Sequence, residues 1–160
     1  MWNIETLIRL VAAAVGTVGM SILFHVRPKH LPVASLGGTL TYLIYYAFEL
    51  SGASLFVAAF VSTLALAAFA EICARICRAP APIFLLSGAI PIVPGGLLYY
   101  TVSNFLSKNY DAGKQYLLSA LGVGLGIAGG MVAVSLVVSI AFSITKKKRE
   151  NEISEDRTGK

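Results

Sequence analysis

The sequence predicts an all-α integral membrane protein of about five transmembrane helices, the fourth broken at the bilayer midplane by Pro91, Pro94, Gly95 and Gly96. Three observations carry that class. The 160 residues are 56% hydrophobic and 13% charged, with a mean hydropathy of +0.75; an ordinary soluble domain has about twice that charged fraction. Apolar residues gather into five segments, at 4–24, 32–50, 53–76, 82–105 and 115–145. Each reaches the roughly 20 residues that span about 30 Å of hydrocarbon, the second only marginally. The basic residues sit in short clusters at segment ends, as membrane topology requires. A soluble fold this small has too little polar sequence to cover five such segments. The net charge of +5 therefore orients the chain rather than binding nucleic acid, for which no aromatic-interleaved basic surface remains.

The first segment carries Glu5, no lysine or arginine before Arg9, and no small-x-small cleavage site after Phe24. It reads as a retained span rather than a cleaved secretory signal. Arg9 lies in its outer part, where snorkelling to the headgroups explains it as well as a functional role does. The loop at 25–32 is basic through Arg27 and Lys29, and it holds both histidines, His25 and His30.

In the second segment Ser35, Thr39, Tyr42, Tyr46 and Glu49 fall on one helix face. Hydrocarbon offers these groups no partners, so the stripe faces protein or water. It is either one wall of a hydrated substrate path or a set of interhelical hydrogen bonds. The third segment pairs Glu71 with Arg75 one turn later, as a gate or coupling site or as an interfacial anchor. Cys73 and Cys77, also one turn apart, are poorly placed for a disulfide and too few for a zinc site; they read as packing residues.

The fourth segment contains IPIVPGGLLYYT at 90–101, near its centre. Proline removes a backbone donor and clashes with the preceding turn, and glycine permits backbone angles that other residues avoid. Irregular backbone in the bilayer core survives only inside protein or beside a water-lined cavity. A half-helix starting near Gly95 would aim free amides and a positive dipole end into that cavity, where a carboxylate binds well. Pro91, Pro94, Gly95, Gly96, Tyr100 and Asn104 are thus the candidate substrate site. The competing reading is a proline-kinked helix with glycines used for packing.

In the fifth segment Gly124, Gly126 and Gly129 match the dinucleotide pattern G-x-G-x-x-G, but no strand precedes them. Gly122, Gly126 and Gly130, spaced by four, form a seam that lets another helix approach closely, whether from this chain, a second copy or a different subunit. Residues 1–145 thus form one membrane domain; 146–160 are a basic stop-transfer cluster, KKKR, and a polar tail expected to be disordered and cytoplasmic. The basic connections alternate across five spans, which puts the N-terminus outside and the C-terminus in the cytoplasm. The partly balanced loop holding Lys108, Asp111 and Lys114 is the mild exception.

PIVPGGLLYYT at 91–101, with the five-span layout, the FHVRPKHL loop at 24–31 and the glycine-rich last span, resembles the threonine/serine exporter family. The resemblance is to its small-subunit (YjjB-like) form, corresponding to the C-terminal membrane half of the fused ThrE exporters, and covers nearly all of the chain except the tail. It implies a multi-pass subunit of a secondary exporter in a prokaryotic inner or plasma membrane, working with a larger subunit of the same family. The implied substrate is a small amino acid or a related small carboxylate. No catalytic motif, metal or cofactor comes with it, and two histidines in one loop without clustered acids give a membrane enzyme no site. The alternatives are a non-transporting structural or regulatory subunit, self-associating or not, and an exporter of dicarboxylates such as succinate. Membrane lipid is the remaining partner, and nucleic acid is not one.

Overall fold

This computed structural model describes the backbone of residues 4–158 and the side chains of residues 4–140. Six helices follow one another: α1 (Ile4–Leu23), α2 (Leu31–Leu50), α3 (Leu55–Cys77), α4 (Ala81–Ala89), α5 (Gly95–Leu106) and α6 (Tyr110–Thr158). Short 3-10 turns at Pro28–His30 and Ile90–Ile92 lead into α2 and out of α4. Four helical segments are long and apolar enough to cross a membrane, and the pair Ala81–Ile92 with Gly95–Leu106, bent by 46°, makes a fifth if the two halves form one broken span rather than a re-entrant loop. The protein is an all-α, multi-pass membrane protein.

Its packing is inverted relative to a soluble bundle. α1 buries Thr6, Ala13, Thr17 and Ser21 and turns Ile8, Val15 and Leu23 outward. α2 buries Ala34, Gly37, Gly38 and Thr41, and α3 buries mostly alanine, serine and threonine. Lipid tails are as apolar as leucine, so the large side chains gain nothing by facing inward, whereas small ones let helices approach and gain dispersion contacts. Several buried hydroxyls are satisfied within their own helices: Thr17 donates to the Ala13 carbonyl, Ser21 to Thr17 and Thr41 to Gly37, each at 2.7 Å, whereas the buried hydroxyls of Thr63 and Ser87 have no partner among the described residues.

α4 lies between α2 and α3, and its Phe84 joins Ala34, Ala70 and Cys73 in a buried cluster. His30 meets the Phe84 ring edge-on at 5.8 Å, so one of the two loop histidines is a packing residue. A Cβ on Gly88 would overlap Leu66, and one on Gly38 would overlap Thr17; glycine at both sites lets α1, α2, α3 and α4 converge. Cys73 is buried, Cys77 half-buried, and both are free thiols.

α6 packs along α3 and α5. A Cβ on Gly126 would lie 2.6 Å from the Phe56 carbonyl oxygen and 3.0 Å from the Ala59 Cβ; one on Gly130 would lie 2.8 Å from the Thr63 Cβ. Gly122 is looser, 4.0 Å from the Phe56 Cβ. The helix facing the glycine seam is therefore α3 of the same chain. Because Gly122 stands level with Phe56 near the start of α3, roughly three turns of α6 extend beyond α3 and pair with α5 instead.

The backbone of α6 is helical from Tyr110 to Thr158, through the lysine cluster. Lysine, arginine and glutamate are strong helix formers and extend a helix already nucleated by packing. Residues 159 and 160, and the side chains of the cluster, lie outside the described residues. One expectation is corrected: Gly95 and Gly96 do not supply unusual backbone angles, since among the described glycines only Gly52, in the α2–α3 turn, has positive φ.

Candidate functional site

The helix break is built in three steps. α4 ends at Ala89, one 3-10 turn carries Pro91, and Val93 becomes extended, its amide donating to the Ile90 carbonyl at 3.2 Å. Pro94 then caps α5 without any side-chain hydrogen bond. Of the first amides of α5, Gly95 donates to the Val93 carbonyl at 2.8 Å and Leu98 to Pro94 at 3.0 Å. Among the described residues, the amides of Gly96 and Leu97 have no backbone acceptor. These are the orphan donors of a helix N-terminus, carrying its positive partial charge.

Those two residues line a cavity of about 470 Å³, inside the roughly 300–1,000 Å³ of typical small-molecule sites. The break contributes Pro91, Ile92, Val93, Pro94, Gly96 and Leu97; Tyr100 and Tyr116, with Arg9, Tyr45, Glu49 and Leu55, complete the lining. A Cβ on Gly95 or Gly96 would meet no atom within 4 Å, so the space above the free amides is open. The break is central within its own bent pair. Relative to its neighbours it lies toward the α2–α3 turn, because Glu49 stands at the end of α2 and Leu55 opens α3.

Arg9 reaches the cavity from α1. It hydrogen-bonds the Tyr42 hydroxyl, and its guanidinium carbon lies 5.6 Å from the centre of the Tyr46 ring. Tyr42 and Tyr46 stack with centroids 6.1 Å apart, and Thr6 donates to the Tyr46 hydroxyl at 3.4 Å. The polar stripe of α2 thus divides by function. Thr39 turns back to its own helix, donating to the Ser35 carbonyl at 2.8 Å; Tyr42 and Tyr46 hold Arg9; Glu49 enters the cavity.

Pro91, Pro94, Gly96, Tyr100 and Glu49 are therefore brought together, whereas Gly95 flanks the cavity without lining it. Asn104 is elsewhere: its amide donates to the Tyr100 carbonyl at 2.8 Å on an exposed face of α5. Glu71 and Arg75 line a different groove, of about 560 Å³, between α3 and α6. Its other walls are aliphatic, among them Leu64, Ile72, Val134 and Val137. Apart from Glu71 and Arg75, that groove presents hydrocarbon. Arg9, Tyr45, Leu97 and Tyr116 were not among the candidates from sequence. Arg9 was detectable: α1 and α2 run antiparallel, and Arg9 and Tyr46 lie at similar distances from the loop that joins them.

A family model described as Threonine/Serine exporter, ThrE, matches residues 9–137. The chain belongs to the threonine/serine exporter family. The match begins at Arg9 and includes every residue that lines the cavity. The family is one of transporters, so the chain is a membrane component of a threonine/serine exporter. No curated protein and no solved structure matches the chain.

Proposed function

We propose that this chain is the smaller membrane subunit of a secondary exporter for threonine, serine or similar small amino acids, working with a larger subunit of the same family. The substrate carboxylate binds at the free amides of Gly96 and Leu97, with Arg9 as the nearby cation. The observation that carries this reading is the cavity at the break, which joins orphan helix amides, a guanidinium and three tyrosines. Fixed amide dipoles and a cation facing a cavity with partly apolar walls favour an anion without reorganising when it arrives.

The alternating basic connections support an outer N-terminus and a cytoplasmic C-terminus in a prokaryotic cell membrane. In that orientation the α2–α3 turn is external, so the cavity near Glu49 faces the outer side and the conformation is the one from which substrate is released. Coupling to the larger subunit supplies the return to an inward-facing state.

Metabolite profiling of the growth medium tests the function. Cells lacking this chain should accumulate threonine or serine internally and release at least severalfold less, with release restored only when both subunits are expressed. Normal release by the larger subunit alone contradicts the proposal and makes this chain a structural or regulatory subunit. Loss of succinate release with unchanged amino acids reassigns the substrate to dicarboxylates.

A further inference from the structure

The cavity holds two side chains of opposite formal charge from different helices, Arg9 on α1 and Glu49 on α2. Among the described residues no ion pair joins them. Arg9 directs its hydrogen bond to Tyr42 and lies over the Tyr46 ring, while Glu49 is exposed. Two opposite charges that face one space without pairing leave both signs available to a ligand. The break adds donors for an anion, the amides of Gly96 and Leu97. The cavity thus offers donors for a carboxylate and, in Glu49, an anionic acceptor for an ammonium.

We propose that Glu49 is the specificity-determining residue of the cavity: it accepts the α-ammonium group of a zwitterion whose carboxylate lies on the Gly96 and Leu97 amides near Arg9. The proposal rests on the carboxylate site argued above. It explains how one cavity separates three small acids. A zwitterion satisfies both ends. A monocarboxylate without an amine leaves the Glu49 carboxylate partly desolvated and unpaired, and a dicarboxylate brings like charge against it.

Ligand-induced thermal stabilisation of the purified subunit pair tests this with three probes: L-threonine, 3-hydroxybutyrate, which is the same skeleton without the amine, and succinate. Wild type should bind L-threonine more tightly than the other two. Glu49→Gln should weaken L-threonine by about tenfold or more, the loss of one charge-assisted contact in a solvent-open cavity, while leaving 3-hydroxybutyrate unchanged or tighter. Glu49→Asp should keep the preference for the amine. A Glu49→Gln variant that weakens both monocarboxylates equally, or neither, overturns the role of Glu49. Gly96→Leu tests the underlying site separately: it should weaken all three probes together. If Gly96→Leu changes none of them, the carboxylate site is wrong whatever Glu49 does, and if wild type binds none, both proposals fall.

Discussion

A Gly95→Leu, Gly96→Leu double variant is expected to insert and fold like the wild type and to export nothing. Both halves of that expectation come from the same geometry. Neither glycine has positive φ, and a Cβ at either position meets no protein atom within 4 Å. Leucine is also the better helix former by roughly 1 kcal/mol at each site. Folding therefore has no reason to suffer. Function does, because the side chain at 96 extends into the space above the free Gly96 and Leu97 amides and lines it with hydrocarbon. Protein level in the membrane reads the first half and amino-acid release the second; export at the wild-type rate contradicts the site.

Gly126→Leu should have the opposite character, with a large loss of stability and loss of export only as its consequence. Its Cβ would press on the Phe56 carbonyl oxygen at 2.6 Å and the Phe60 nitrogen at 3.1 Å. Those are backbone atoms of a packed helix and cannot rotate aside, so α6 must separate from α3. Overpacking of this kind costs about 1–3 kcal/mol or more, a large fraction of a marginal total. Gly124→Leu is the matched control: it lies on the same helix two residues away, where a Cβ meets nothing within 4 Å. Thermal unfolding in detergent should show Gly126→Leu well below wild type and Gly124→Leu close to it. Equal effects at 124 and 126 would mean that the α3–α6 seam does not hold the bundle.

The contrast between these two pairs of glycines shows what sequence reasoning reaches. The spacing of Gly122, Gly126 and Gly130 announced a close helix contact, but only the packing shows α3 as the partner. Gly95 and Gly96 stood out because they follow Pro94 in an apolar span, and conformational freedom was the natural reason for them. In the structure their backbone is ordinarily helical, and of the two only Gly96 lines the cavity. Spans were legible because about 20 apolar residues have few alternatives to a membrane helix. The break was legible because proline removes donors wherever it stands.

Long-range juxtaposition was not legible in the same way. Tyr100 and Asn104 share a helix face, which suggested a shared role, yet the Asn104 amide is satisfied by the Tyr100 carbonyl of its own helix. For Arg9, snorkelling and a functional role were equally good readings because a span read alone gives it no partner. Tyr42 and Tyr46 supply that partner only once α1 lies against α2. Glu49 was one member of a stripe, and its separation from Thr39, Tyr42 and Tyr46 follows from which neighbour each meets. The helical extension to Thr158 reflects the high helix propensity of lysine and glutamate, which a reading based on hydropathy discounts.

The most direct test of the central claim, that substrate binds over the Gly96 and Leu97 amides, is protection of a cysteine placed there. In a background with Cys73 and Cys77 replaced by alanine, Gly96→Cys should react with a small methanethiosulfonate reagent, and millimolar L-threonine should slow that reaction severalfold. Tyr99→Cys, exposed on α5 outside the cavity lining, should react at a rate that threonine does not change. Protection at 96 and not at 99 is the predicted result; equal rates at 96 with and without threonine would contradict the account.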